Sequence, residues 1–514
     1  MDKKKSLINV SVAIISRIIL LVLTILTRRY LIICVGNEAN GLNSLYHSII
    51  GVLSIAELGI GSAITFSMYK PIVENQKEKV ASLYNLFTKI YIIIGIVISL
   101  LGILVIPFLP ILAKGYTISA NLYITYFIVL TSVALTYMFS AKLSLINAYK
   151  NDYITTGITS LSQMVMQVIQ IVLLVVTKSF EIFLLCRFIA VLIQWTLIEL
   201  VSRKKHSEIL AIKSIHLDDD DKREITKNIK AMFMHKIGGL LVNTVDSIVI
   251  SSFIGIAVLG SYSNYVTIVT SMASILTLFF TPLTSIVGHL CTQKNIVEEK
   301  KYFNFFFTLN FIIGLVFYLG YYAVIDDAVR ICFGPNLELD RSISFVVTLN
   351  YFIQFIRHAV VMFRDATGTF YNDRWKPLFE GIANLVLSII LVKLIGIAGV
   401  IVATIITNVL ICHIVEPYVL YKNVFKESPK KYYIQNYLYM IIFVLLMTVM
   451  TLLMQDIDGV WKSLFINGLI SIGISSVPCV VILIINKEFR NKCSNLTKPL
   501  ILKIKGKFIK QKNS

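Results

Sequence analysis

The chain has 514 residues, 56% of them hydrophobic and 15% charged, with a mean hydropathy of +0.78. Soluble globular proteins carry about 25% charge, so a soluble domain is excluded, and so is a disordered chain. The net charge of +19 would point to nucleic acid in a soluble protein. In a chain this apolar, Lys and Arg mark cytoplasmic loops instead, and no nucleic-acid partner is expected.

Taken in order, the hydrophobic runs number fourteen: residues 7–35, 42–69, 86–111, 119–148, 153–177, 181–202, 231–254, 257–289, 302–325, 342–363, 377–395, 397–420, 433–454 and 463–485. A helix needs about 20 apolar residues to cross a bilayer. The runs are continuous, where barrel strands would alternate. The expectation is an all-α polytopic membrane protein of about 14 transmembrane helices. Lys3-Lys4-Lys5 precedes the first run. That run is too long for a signal peptide, and no small-residue cleavage site follows it.

With the N-terminus inside, 34 Lys and Arg fall on the inner side, six on the outer side and eight within helices. This bias predicts both termini in the cytoplasm of a multi-pass inner (cytoplasmic) membrane protein. The 203–230 break, with Arg203-Lys204-Lys205 and Asp218–Asp221, reads as a solvated linker. Four consecutive aspartates point in different directions and do not converge on a metal. Residues 486–514 are basic with apolar residues interleaved, as in a segment lying on anionic membrane lipid. The seven cysteines are scattered and read as apolar filler.

The two halves repeat. Gly36-x4-Gly41 ends the first helix and opens the second, and Gly255-x4-Gly260 does the same for the seventh and eighth, 219 residues on. Ser44, Tyr46, Ser48, Ile49 and Ile50 recur as Ser263, Tyr265, Thr267, Ile268 and Val269. Six helices separate the copies, an even number, so the repeat is parallel, about an axis along the membrane normal. The predicted divisions are an N-terminal six-helix lobe with its linker (1–227), a C-terminal six-helix lobe (228–431), two extra helices (432–485) and a basic tail (486–514).

A charge at the bilayer centre costs about 2.5–3.5 kcal/mol on insertion scales, so polar groups aligned on helix faces stand out. Arg17, Thr24 and Arg28 share a face of helix 1; Lys236, Gly239, Asn243 and Asp246 of helix 7; Asn350, Gln354 and Arg357 of helix 10. Helix 5 carries Gln163, Gln167 and Gln170, helix 6 carries Arg187, and helix 2 carries one mid-span acid, Glu57. The basic set (Arg17, Arg28, Arg187, Lys236 and Arg357) suits an anion, since guanidinium forks match phosphate oxygens. The amides (Gln163, Gln167, Gln170, Asn243, Asn350 and Gln354) suit sugar hydroxyls, though helix packing explains such a stripe equally well. Arg28 has two readings, as a site residue or as a side chain snorkelling to the interface; Lys142 reads as a snorkelling side chain. Glu57 and Asp246 are either proton or sodium ligands or ion-pair partners of the basic groups. No nucleotide-binding motif, enzyme signature or cofactor site is found, so directed transport would need an H+ or Na+ gradient or consumption of the product.

The sequence resembles the bacterial polysaccharide-unit flippases of the multidrug/oligosaccharidyl-lipid/polysaccharide exporter superfamily. The resemblance rests on Arg28-Arg29-Tyr30 through Gly36, Gly41-Leu42-Asn43-Ser44-Leu45, Ala56-Glu57-Leu58-Gly59-Ile60-Gly61-Ser62-Ala63, Arg374-Trp375-Lys376-Pro377 and Gly396-Ile397-Ala398-Gly399-Val400. It implies two six-helix lobes and transport of undecaprenyl-diphosphate-linked oligosaccharide units from inner to outer leaflet. Such units feed O-antigen, capsule or exopolysaccharide assembly, beside glycosyltransferases and a polysaccharide polymerase. The competing readings are a cation-coupled multidrug exporter and a peptidoglycan-precursor flippase of the same superfamily. A non-transporting membrane scaffold gains little from several buried charges.

Overall fold

A computed structural model of the chain describes residues 3–57, 60–117, 121–212, 217, 222, 223, 225, 226, 229, 244–292, 295–369, 372–454 and 457–494. The Asp218–Asp221 run, Lys236, Asn243 and the tail beyond residue 494 lie outside the described residues. The fold is all-α. In chain order the helices are α1 (Lys3–Cys34), α2 (Asn37–Leu53), α3 (Ile60–Val73), α4 (Lys77–Val105), α5 (Leu109–Leu112), α6 (Leu122–Ala148), α7 (Asp152–Thr177), α8 (Phe180–Ala211), α9 (Thr244–Phe253), α10 (Ile256–Thr292), α11 (Ile296–Phe333), α12 (Arg341–Ile356), α13 (His358–Ala366), α14 (Lys376–Thr407), α15 (His413–Leu420), α16 (Lys430–Leu453) and α17 (Val460–Ile485). Two π-helical turns, Asn408–Cys412 and Tyr421–Phe425, flank α15.

Among the described residues nine helical segments are long and apolar enough to cross a membrane. Their outward faces carry large apolar side chains, such as Leu104, Val176, Leu452 and Ile485, which water would not tolerate as a continuous surface. The chain is a polytopic membrane protein.

Helical breaks fall inside the runs 42–69 and 342–363, and a third falls between two runs. The run at 42–69 is two helices, because the chain tightens into a 3-10 turn at Ser54–Glu57 before α3 begins. Gly59 and Gly61 follow directly, and glycine is a poor helix former. The run at 342–363 breaks at Arg357, between α12 and α13. Within α14 the backbone turns sharply at Ile395 and Gly396, where Gly396 has φ +62°, dividing it where the sequence runs 377–395 and 397–420 divide.

The helices form two compact units. The first comprises residues 1–271, 329–339 and 374–404. Here α6 and α8 bury Phe139, Ile146, Val191 and Ile198 against one another, with Trp195 packed alongside. Tyr46 of α2 is fully buried, and its hydroxyl donates to the Leu122 carbonyl at 3.0 Å. A tight turn joins α7 to α8: Lys178 takes the left-handed conformation, and the Ser179 hydroxyl caps α8.

The second unit comprises residues 272–328, 340–373 and 405–514. Its core is aromatic. Phe311 of α11 stacks on Tyr439 of α16 with ring centres 3.8 Å apart, and Phe352 of α12 stacks on Phe443 at 3.6 Å. Buried His413 sits beside it, with Nε2 3.0 Å from the Ile353 carbonyl and Nδ1 accepting from Asn436 at 3.1 Å. That pattern requires the Nε2 proton, so the neutral ring donates to the carbonyl.

Candidate functional site

The first unit holds a helix crossing that the repeat anticipates. Gly36 and Gly255 have φ +121° and +145°, the left-handed region that favours glycine, and each ends one helix just before the next begins. Beyond them α2 and α10 meet at Gly41 and Gly260. A Cβ at Gly41 would overlap the Ile256 carbonyl, and one at Gly260 would overlap the Asn37 carbonyl. Asn37 and Ile256 are themselves 219 residues apart, so the contact is reciprocal. Asn37 donates to the Ala257 carbonyl at 2.8 Å and to Ser261 at 3.0 Å, and buried Asn40 donates to the Gly260 carbonyl at 2.9 Å and to Asn264 at 3.0 Å.

Two sequence-predicted cations lie beside this crossing. Arg28 of α1 donates to Ser263 Oγ at 2.8 Å and to Asn264 Oδ1 at 3.3 Å. Arg187 of α8 donates to His47 Nε2 of α2 at 2.5 Å. Arginine only donates, so Nε2 accepts and the neutral ring carries its proton on Nδ1. Among the described residues, neither guanidinium meets a carboxylate. Each keeps donors to spare, and Asn40 Oδ1 and Asn264 Nδ2 are buried without a hydrogen-bond partner. Buried amides in that state fit a polar occupant. Arg17 is exposed on α1 and makes no hydrogen bond or ion pair among the described residues.

The α7 amides have three different settings. Gln163 is exposed. Gln167 donates to Thr24 of α1 at 3.0 Å, tying two helices. Gln170 is buried and donates to the Phe183 carbonyl at 2.8 Å, which makes it a strut of the α7–α8 pair.

Asp246 of α9 is buried in the first unit. Its two carboxylate oxygens each lie 3.2 Å from the hydroxyl of Thr404 on α14, which also receives the Asn384 amide at 2.8 Å. Asn384 Oδ1 and Ser388 Oγ, one helical turn apart, are buried with no hydrogen-bond partner among the described residues. This oxygen-rich cluster suits a proton or a hard cation. Glu57 lies in the 3-10 turn after α2. Lys142 pairs with Glu199, so it is held by a partner and does not simply snorkel.

In the second unit Gln354 donates to Asn350 at 3.1 Å, which joins two predicted sugar ligands to each other. Arg357 is neutralised. Its Nη2 and Nε bond the two oxygens of Glu416 at 2.8 and 3.1 Å, and Nη1 bonds Asn408. Glu416 also receives Arg364 at 3.2 Å, and Arg364 pairs with Asp373 at 2.8 Å. The sequence balance of deep charges overlooked Glu416, although it lies inside the run 397–420. It also missed Asn40, Asn264 and His47, whose role follows from a crossing between helices far apart in sequence. Thr404 and Asn384 could have been found as polar residues in the eleventh and twelfth runs.

The first unit thus joins two cations that meet no carboxylate among the described residues to an oxygen-rich cluster around Asp246, and the comparisons give the chain a fold. A structure of the lipid II flippase MurJ in an inward closed conformation superposes with a TM-score of 0.62 at 16% identity, over 96% of this chain and 100% of that one. An inward-facing multidrug resistance MATE family transporter of the MOP superfamily superposes with a TM-score of 0.58 at 12% identity, over 78% and 94%. Identities this low establish the fold alone. No curated protein matches in sequence. The family described as polysaccharide biosynthesis protein matches residues 5–285, more than half of the chain. The chain belongs to that family.

Proposed function

We propose that this protein moves undecaprenyl-diphosphate-linked oligosaccharide units from the inner to the outer leaflet of a bacterial cytoplasmic membrane, with both termini in the cytoplasm. One observation carries this reading. Arg28 bonds Ser263 and Asn264, and Arg187 bonds His47; among the described residues these partners are all neutral, so the two charges are available to an anion. Guanidinium forks fit a diphosphate bidentately. The cargo's lipid tail stays in the bilayer while its polar head crosses the polar interior. A drug exporter for organic cations would be served by acids at this place. O-antigen, capsule and exopolysaccharide pathways all make such cargo, and glycosyltransferases and a polymerase are the expected partners.

Asp246, with Thr404, Asn384 and Ser388, is proposed to bind the coupling proton or sodium ion. Occupancy would neutralise a buried carboxylate, whose charged form is costly at bilayer depth.

The test is flipping of a fluorescent lipid-linked oligosaccharide in proteoliposomes. Arg28→Ala and Arg187→Ala should each slow flipping by about tenfold or more, the loss of one charged hydrogen bond worth about 1.5–3 kcal/mol. Wild-type rates in both variants would overturn the anion site. Imposed pH and sodium gradients should change the rate in wild type and not in Asp246→Asn. Indifference of the wild type to both gradients would leave Asp246 structural.

A further inference from the structure

Two segments of the first unit cross from one repeat to the other. Residues 113–117 follow α5 in the first repeat, and residues 331–339 end α11 and lead towards α12 in the second. They are copies of one another. Gly115 and Gly334 stand 219 residues apart, and both have positive φ, +76° and +119°. Each segment is tied to its own repeat. The Glu38 carboxylate of α2 accepts from the Thr117 amide at 2.9 Å and from the Thr117 hydroxyl at 2.8 Å. The Tyr265 hydroxyl of α10 accepts from the Leu339 amide at 3.0 Å.

Each segment also bonds the other repeat, and in both cases a cation meets a neutral backbone carbonyl. Lys114 Nζ donates to the Phe253 carbonyl at 2.7 Å, and the Lys114 carbonyl accepts from the Ile256 amide at 2.9 Å. In the opposite direction, Arg29 of α1 donates to the Ile331 carbonyl. These bonds sit at the end of the glycine crossing, because Ile256 also supplies the carbonyl that a Cβ at Gly41 would overlap. Phe253 ends α9, Ile256 opens α10 and Ile331 lies in the last turn of α11. Groups at helix ends have no partner within their own helix. The two segments therefore satisfy polar groups that would otherwise need water, and water can take their place when the repeats part. A contact of this kind holds firmly and releases without leaving a buried polar group unpaired.

We propose that residues 113–117 and 331–339 are reciprocal latches that hold the two repeats together on the outer side, and that cargo leaves only when both release. The inference rests on the transport reading and its orientation: with the N-terminus inside, α1 crosses once and brings Arg29 to the outer side. Either latch alone still bridges the repeats, so loss of one loosens the closure and loss of both frees it.

The experiment uses the full-length protein in cells, with its seven cysteines replaced by serine. Ile256→Cys is the reporter, since Ile256 is fully buried beneath the first latch. A membrane-impermeant maleimide is added from outside, and the exposed Lys462→Cys sets the rate of free labelling. The reporter should label slowly. Lys114→Ala and Arg29→Ala should each speed it by about threefold, and the pair together by about tenfold, as for partly exposed charged hydrogen bonds lost one at a time. A reporter that labels as fast as Lys462→Cys, or a double variant with no increase, overturns the latches. A second arm joins Lys114→Cys to Phe253→Cys with a short bismaleimide. Tethering should stop flipping of lipid-linked oligosaccharide in proteoliposomes that the unlinked pair supports. Unimpaired flipping by the tethered protein overturns the latches even if the alanine variants fail to fold. Wild-type protein that flips nothing sinks the transport reading, while the labelling arm, which uses no cargo, still decides whether the latches hold the repeats.

Discussion

Glu416 decides whether Arg357 handles cargo or holds the second unit together. Its carboxylate is 1% exposed and receives three charged hydrogen bonds, two from Arg357 and one from Arg364. Glu416→Gln keeps the shape and one acceptor but removes the charge. Arg364 then keeps Asp373 and Asp365, while Arg357 loses the carboxylate that receives two of its hydrogen bonds. Removing one partner of a buried ion pair costs about 3–5 kcal/mol. At 1.4 kcal/mol per tenfold, that is about two to three and a half orders of magnitude in the folded-to-unfolded ratio. Replacing both members, as Arg357→Met with Glu416→Met, leaves no uncompensated charge between them and should restore most of the loss, because apolar substitutes for a buried pair are often neutral.

Thermal denaturation of purified protein in nanodiscs, run as a double-mutant cycle, measures both effects. The expected coupling between the two positions is about 0.5–3 kcal/mol. The double variant should also flip cargo at near wild-type rates per folded molecule. A Glu416→Gln protein as stable as wild type would refute the reasoning about burial. A double variant that folds normally yet flips nothing would return Arg357 to the cargo site.

Gly41→Ala and Gly260→Ala should behave alike, each lowering abundance through overpacking worth about 1–3 kcal/mol, since the overlapped atoms are backbone carbonyls that no rotamer change can relieve. Gly36→Ala meets no neighbour within 4 Å and should cost only the strain of its positive φ, about 1–2 kcal/mol, as read from the denaturation midpoint. Thr404→Val keeps the volume but strips Asp246 and Asn384 of a shared hydroxyl, so it should abolish any gradient dependence of flipping and cost about 1–3 kcal/mol in stability. Retained gradient dependence would remove Thr404 from the ion pocket.

Much of the fold was legible because a bilayer imposes length and continuity on every crossing segment. Element type and the positions of the runs follow from that alone. The breaks were less legible. The 42–69 run reads as one apolar stretch, and nothing in it marks the 3-10 turn at Ser54–Glu57. The polar faces were visible one helix at a time, but pairing across helices was not. Arg28 and Arg187 were chosen because they are cations at depth, and the chain gives no sign that the first meets Ser263 and Asn264 or that the second meets His47. Arg357 passed the same test of depth, yet Glu416, 59 positions away, cancels it. Helical spacing places side chains on a face; whether a charge on that face is spent on a neighbour is a property of packing.

The repeat turns this difference into an argument about mechanism. The backbone crossing at Gly41 and Gly260 is reciprocal, so an offset of 219 relates both its glycines and the carbonyls they touch. Of the polar residues around it Ser263 has its counterpart in Ser44, but the charged groups, Asn40 and the histidine are not related in that way. At that offset Arg28 corresponds to Ser247, Asn40 to Leu259 and His47 to Val266, while Asp246 corresponds to Thr27. The cations that can meet a diphosphate lie on the first repeat, and the carboxylate that can meet a proton or sodium lies on the second. A symmetric crossing lets equivalent helices move equivalently, and segregated charges keep the anion and the cation from neutralising each other's sites. On this reading Ser247→Arg should not rescue flipping in Arg28→Ala, because the second-repeat position lacks the neutral amides and histidine that leave the first-repeat guanidinium available. Rescue would show that net charge in the interior is sufficient and that the repeats are interchangeable for cargo.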